Sequence, residues 1–371
     1  MSEAARKTRV LVVDDSVVMR RLLAEAISSD PDLEVAGYAA NGQIALALLD
    51  QLAPDVVTLD VEMPVMDGLS TLKAIRAAGR RLPIIMFSTL TNRGAEATID
   101  ALALGASDYV TKPTGAGSYG ATRERIREAL VPRIKALCRR SVAVPARIET
   151  TRFRQRSFQR KLTAEAIKVV GIGCSTGGPN ALTQLLPAIP CDFPAPILIV
   201  QHMPPAFTRF LAQRLNSLCH LPVEEAEQGA IVQPGKIWIA PGGHHMSVES
   251  GEGQTRIKIT EEPPENSCRP SVDVLFRSIA DVFAGSALAV VLTGMGQDGL
   301  RGCERLSATG AEIVVQDEAT SVVWGMPGFV ARGELADAVL PIAEIGPYVV
   351  ERVAARRLFG GSFLRPVAVA R

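Results

Sequence analysis

Aromatic residues make up only 5% of this 371-residue chain, and histidine occurs four times. A protein that stacks single-stranded nucleic acid needs aromatic side chains interleaved with basic ones, and that pattern is missing. No apolar run approaches the roughly 20 residues a membrane span requires. The N-terminus, MSEAARKTRVLVVDDS, also lacks the apolar core of a secretory signal. The expectation is a cytoplasmic protein with no membrane insertion. Neither sign of charge dominates, with 40 Lys and Arg against 39 Asp and Glu, so nothing draws the whole chain to nucleic acid. The six cysteines, at 138, 174, 191, 219, 268 and 303, form no CxxC pair. Free thiols are expected, with neither a disulfide frame nor a zinc knuckle. No lysine occurs between Lys168 and Lys236, which removes a P-loop from the glycine-rich stretch VGIGCSTGGP at 170–179.

What is present is strand-helix alternation, in two blocks. A chain of this length exceeds what one core covers, so two domains are expected. RVLVVD, LEVAGYAA, DVVTLD, PIIMFS and DYVTK are short β-branched runs separated by helical periodicity, which predicts a five-stranded parallel sheet covered on both faces. A helix near 121–140 follows, with Ile126, Leu130, Ile134 and Leu137 along one stripe and Pro132 as a kink. The Arg-rich segment 136–166 reads as a linker. Alternation resumes with KVVGIG, APILIVQ, KIWIA, ALAVVLTG and AEIVVQ, and HHMSVESGEGQTRIKIT reads as a β-hairpin. The boundaries are 1–135, 136–166 and 167–360. The fold class is α/β, two doubly wound domains, the second larger, mainly parallel and carrying the hairpin.

In the first block Asp14 and Asp15 close the first strand and Asp60 closes the third. Ser88 closes the fourth and Lys112 follows the fifth. Carboxyl ends of parallel strands meet at one crevice, so these residues converge. Crowded carboxylates suit a hard divalent cation, and a carboxylate beside such an ion can attack phosphorus. The set resembles the receiver domain of bacterial two-component response regulators, with its flavodoxin-like fold. The resemblance implies Asp60 as phosphoacceptor, Mg²⁺ at Asp14, Asp15 and Asp60, and Lys112 on the phosphoryl group. Ser88 and Tyr109 are then the residues that respond.

VGIGCSTGGP admits two readings, a phosphate cradle or a nucleophile. A dinucleotide loop needs GxGxxG and an acid after the next strand. The glycines at 171, 173, 177 and 178 miss that spacing, and the next strand ends in Gln201-His202. GCSTG does fit the nucleophile elbow GxSxG, which lifts Ser175 above a sheet. His202 alone of the histidines directly follows a core strand, and ALAVVLTGMGQD places Asp298 beyond a third. Serine, histidine and aspartate at three strand ends make a triad. Cys174 is the rival nucleophile, expected to face the core. The blocks VGIGCSTGGP, LIVQHMP, IWIAPGG, RPSVDVLF, VVLTGMGQDG and ATSVVWGMPG together resemble the chemotaxis protein-glutamate methylesterases, in a Rossmann-like domain. Cys268 stands where many relatives carry histidine.

The resemblance implies Ser175 as nucleophile, His202 as base and Asp298 as its orienting partner, with no cofactor in this domain. Backbone N–H groups at Thr176 and near Met295 are expected to meet the oxyanion. It also implies glutamate methyl esters of methyl-accepting chemotaxis receptors as substrate, glutamine deamidation as a second activity, and a chemotaxis histidine kinase as phosphodonor. A monomer is expected, with no nucleic-acid partner. A phospho-regulated serine hydrolase acting on another protein ester or amide is the alternative.

Overall fold

Val, Ile and Leu fill the five strands of the first sheet: β1 (Thr8–Val13), β2 (Leu33–Ala39), β3 (Val56–Asp60), β4 (Ile84–Ser88) and β5 (Asp108–Thr111). The computed structural model describes residues 6–113, 118–138, 166–251 and 253–360, the side chains of 355–360 excepted. All strand pairs in this sheet are parallel, in the order β2-β1-β3-β4-β5. Every residue of β3 and β4 is buried, which is why these strands read as continuous apolar runs rather than alternating ones.

Helices α1 (Val17–Ser28), α2 (Gly42–Leu52), α3 (Gly68–Ala77) and α4 (Asn92–Ala103) each begin at a polar cap: Ser16, Asn41, Asp67 and Thr91. Each cap side chain accepts a hydrogen bond from a backbone N–H of the first turn, satisfying a donor that would otherwise be orphaned. Helix α5 (Tyr119–Cys138) continues three residues past the expected boundary at 135 and contains Pro132. Its buried stripe is Ile126, Leu130 and Ile134. The linker expected at 136–166 lies, from 139 to 165, outside the described residues.

The second sheet has seven parallel strands in the order β14-β13-β12-β6-β7-β9-β8. They are β6 (Val169–Cys174), β7 (Ile197–Gln201), β8 (Val223–Glu225), β9 (Ile237–Ile239), β12 (Ala287–Val291), β13 (Glu312–Gln316) and β14 (Ala338–Leu340). Between them β10 (His245–Gly251) and β11 (Gln254–Thr260) pair antiparallel as the expected hairpin. Strands β8 and β14, three residues each, sit at the two edges and have no counterpart in the sequence reading. Neither is buried throughout, so neither is held to the continuous apolar pattern of a fully covered strand, whereas the equally short β9 is buried at all three residues and shows it. The helices are α6 (Gly178–Leu185), α7 (Phe207–Asn216), α8 (Val272–Phe283), α9 (Leu300–Ala308), α10 (Met326–Arg332) and α11 (Ile342–Gly360).

The two sheets share one continuous apolar cluster, because α4 packs against α6 and α7. Tyr109 at the start of β5 stacks on Phe207 at the start of α7, with ring centroids 5.0 Å apart and planes inclined by 12°. Two hydrogen bonds cross beside it: Thr176 Oγ1 donates to Asp108 Oδ2 at 3.0 Å, and Asn180 Nδ2 to the Ala106 carbonyl at 3.1 Å. Among the described residues, no helix is long and apolar enough to cross a membrane.

Candidate active site

In the first sheet the predicted acids converge. Asp14 and Asp60 are buried, Asp15 is exposed, and one carboxylate oxygen from each lies within 4.8 Å of the others. Lys112 Nζ reaches Asp14 Oδ2 at 3.0 Å and Asp60 Oδ2 at 2.7 Å. Beyond this ammonium, neither oxygen has a hydrogen-bond donor among the described residues. Buried oxygens short of donors are the ligand type a hard cation such as Mg²⁺ takes, and the residues present fit it. Burial, only partly offset by Lys112 and reinforced by the Asp14 charge, pushes Asp60 up to about 6. Ser88 is buried and donates to the Gly94 carbonyl at 2.9 Å.

In the second sheet β6 lies between β12 and β7 at the point where strand order reverses, the usual place for a site in such folds. Ser175 follows β6 directly and His202 follows β7 directly. The ends are held in register: His202 N–H donates to the Cys174 carbonyl at 3.1 Å and Ser175 N–H to Thr293 at 3.0 Å. Gln201 Nε2 donates to both the Ser175 and His202 carbonyls, at 3.0 and 3.1 Å, clamping the two turns together. The glycines after Ser175 are steric requirements. Gly177 takes φ +78° as α6 begins, and a Cβ at Gly178 would lie 2.0 Å from Gln201 Oε1. Cys174 faces the core as expected, fully buried, and burial drives its thiol pKa far up, out of reach of nucleophilic use.

His202 Nε2 lies 2.8 Å from Asp298 Oδ2. Asp298 reaches this position because it is captured by the N-terminus of α8. It accepts hydrogen bonds from Val272 N–H at 2.6 Å, Asp273 N–H at 3.2 Å, Ser271 Oγ at 2.8 Å and Asn266 Nδ2 at 2.9 Å. Burial opposes ionisation of Asp298, but His202 and these donors outweigh it and hold the carboxyl well below the usual range. Burial likewise opposes charge on His202, yet its contacts with Asp298 and Cys268 lift it to about 9. Asp273, next in line, is pushed up to about 6 by burial and by the Asp298 charge, against the Gly302 N–H it accepts from.

The three predicted residues therefore share one rim, but only His202 and Asp298 touch. Among the described residues Ser175 Oγ has no hydrogen-bond partner, and His202 Nδ1 faces the Cys268 thiol at 3.5 Å. The backbone N–H groups of Thr176 and Met295 have no acceptor among the described residues, as oxyanion donors require. The Thr176 side chain turns the other way, to Asp108. Sequence reasoning did not find Gln201, Asn266, Ser271 or Asp108. The RPSVDVLF block carried the signal for Ser271, whose hydroxyl and following N–H groups seat Asp298.

The chain matches the response regulator receiver domain over residues 10–119 and the CheB methylesterase domain over residues 170–349. It is 50% identical over 351 residues to a protein-glutamate methylesterase/protein-glutamine glutaminase of Trichodesmium erythraeum, covering 94% of this chain and 99% of that relative. A protein of the same name from Nocardioides sp. is 50% identical over 355 residues, covering 94% and 96%. The crystal structure of the Thermotoga maritima CheB methylesterase catalytic domain is 42% identical, covers 50% of this chain and 97% of that one, and superposes with a TM-score of 0.49. With a receiver ahead of a methylesterase domain, and whole-length likeness to such proteins, this chain is an enzyme that belongs to the CheB methylesterase family.

Proposed function

We propose that the chain hydrolyses γ-methyl esters of glutamate on methyl-accepting chemotaxis receptors, deamidates receptor glutamines at the same site, and is activated by phosphorylation of Asp60. The observation that carries this reading is the 2.8 Å His202–Asp298 pair on the strand end beside Ser175. Asp298 engages Nε2, so Nδ1 is the nitrogen left to act as base. Ser175 and His202 follow adjacent paired strands, and the mechanism requires rotation about χ1 of Ser175 and displacement of the Cys268 thiol to bring the hydroxyl to Nδ1. Ser175 Oγ then bonds to the ester carbon while His202 takes its proton. Collapse breaks the bond to methoxide, which leaves as methanol with that proton. Water, deprotonated by His202, releases the glutamate. The Thr176 and Met295 N–H groups meet the oxyanion, and loss of one such donor costs about 2.7–4 kcal/mol.

In this reading residues 1–135 regulate, 136–166 tether, and 167–360 hydrolyse, in a cytoplasmic monomer. A chemotaxis histidine kinase supplies the phosphoryl group to Asp60. Asp14, Asp15 and Asp60 would hold Mg²⁺, which when bound neutralises phosphoryl oxygens; Lys112 neutralises another. Ser88 and Tyr109 then relay the change to the interface. The contacts of Asp108 and Tyr109 beside the elbow and α7 support a receiver that obstructs the site. A hydrogen bond to a charged group contributes about 1.5–3 kcal/mol and an aromatic pair about 0.5–1.5. Shifting a site from 1% to 99% open takes about 5.5 kcal/mol, more than these two contacts supply, so their loss alone leaves the switch short of that full range. Methanol release from methylated receptor membranes tests the assignment. Ser175→Ala is expected to abolish it, and release at the native rate would remove Ser175 from the mechanism.

A further inference from the structure

His202 keeps one ring nitrogen outside its pair with Asp298. Nε2 is 2.8 Å from the carboxylate, and Nδ1, on the other side of the ring, is 3.5 Å from Cys268 Sγ. That separation matches the edge of a zinc tetrahedron. Bonds of about 2.0–2.1 Å to imidazole and about 2.3 Å to thiolate, at the tetrahedral angle, set the two donors roughly 3.5 Å apart. The other side of the ring fits as well. A metal-bound histidine donates its remaining N–H to a carboxylate, which fixes the ring and raises its basicity as a ligand. Asp298 already fills that place and is itself immobilised by Ser271, Val272 and Asn266. Ligand atoms of His202, Cys268 and Asp298 all lie within 4.8 Å of one another. Cys268 forms no disulfide, it is half-buried, and the His202 side chain is 12% exposed, so an ion can enter from solvent.

We propose that His202 Nδ1 and Cys268 Sγ bind Zn²⁺ or a similar thiophilic divalent cation, with water completing its coordination, and that this binding silences the hydrolase. The cation displaces the thiol proton to solvent and occupies the lone pair that Ser175 needs. Imidazole and thiolate select against Mg²⁺, whose place is the all-oxygen cluster at Asp14, Asp15 and Asp60. The silencing rests on the function proposed above; the metal site itself does not.

The test uses the full chain, freed of metal by a chelator and exchanged into plain buffer. Titration with Co²⁺ is expected to raise a near-ultraviolet sulfur-to-cobalt charge-transfer band that Zn²⁺ then displaces. Zn²⁺ is expected to lower methanol release at least tenfold. Asp298→Asn should weaken metal binding by about 10–100-fold, the usual effect of losing a carboxylate behind a metal-bound histidine. Cys268→Ser, at a half-buried position, should lose the band altogether and lose zinc sensitivity relative to its own metal-free rate. A band that persists in Cys268→Ser would place the metal on one of the other five thiols and overturn the proposal. So would no band at all, or equal zinc inhibition of both proteins. A Cys268-dependent band in a chain that never releases methanol would sink the hydrolase reading and leave the metal site standing.

Discussion

Asp108 Oδ2 accepts a hydrogen bond from Thr176 Oγ1 at 3.0 Å, which joins the start of a receiver strand to the residue directly after Ser175. Asp108 is buried, and burial raises its pKa despite the Arg133 guanidinium at 3.1 Å. Replacing Thr176 by Val keeps the backbone N–H and the side-chain volume and removes only the latch. Methanol release without phosphodonor is expected to rise, by between about tenfold and about a hundredfold for a hydrogen bond to a charged group. The phosphodonor-stimulated rate should change far less. An unchanged unstimulated rate would show that this bond does not hold the receiver in place.

The pH dependence follows from His202, whose pKa stands at about 9 against an ordinary 6.5 because the Asp298 and Cys268 contacts outweigh burial. A base must be neutral, so in chelator-containing buffer activity should climb with pH through about 9. Stability runs the other way. The His202–Asp298 ion pair contributes fully below about pH 6.5 and is lost as pH rises through about 9. Cys268→Ala should move the activity midpoint to lower pH. A native midpoint at 6.5 would mean that the pair does not form in solution.

Asp298→Asn is expected to lower kcat by about 10⁴, as loss of the orienting carboxylate does in other triads. Ser271→Ala removes a single donor to Asp298 and should slow methanol release by about tenfold to a hundredfold. Circular dichroism should show both variants folded. A native rate for Ser271→Ala would mean that the N–H groups of Val272 and Asp273 suffice.

Lys112 balances two buried carboxylates. Lys112→Ala leaves that charge uncompensated and should cost about 3–5 kcal/mol in metal-free denaturant unfolding. Saturating Mg²⁺ should restore part of it. Chelation, or Asp60→Asn, should abolish phosphodonor stimulation of methanol release while the unstimulated rate persists. Stimulation surviving in Asp60→Asn would place the phosphoryl group elsewhere.

Much of this was legible along the chain. The core strands announced themselves because strands buried on both faces must be apolar throughout, and the acids at their ends stood out for the same reason. The turn Gly177-Gly178 was legible because no side chain fits there. Edge strands β8 and β14 are only partly buried and so are not held to the apolar run that made the equally short β9 visible. Asn266 and Ser267 adopt φ of +52° and +62° in the loop that delivers Asn266 and Cys268 to the site, and nothing local in ENSCRP signals that path. Thr176 read as part of the elbow, and its hydroxyl serves the receiver instead.

Residue order alone determined two parallel sheets and which side chains stand at their carboxyl edges, since hydrophobic periodicity and strand termination are local properties of a polymer. The tertiary structure decided which of those side chains meet. It paired His202 with Asp298, set Cys268 against the free nitrogen in place of Ser175, and tied Asp108 to Thr176. Such contacts depend on loop paths and on how two sheets pack, and these are set by the whole buried surface rather than by neighbours in sequence.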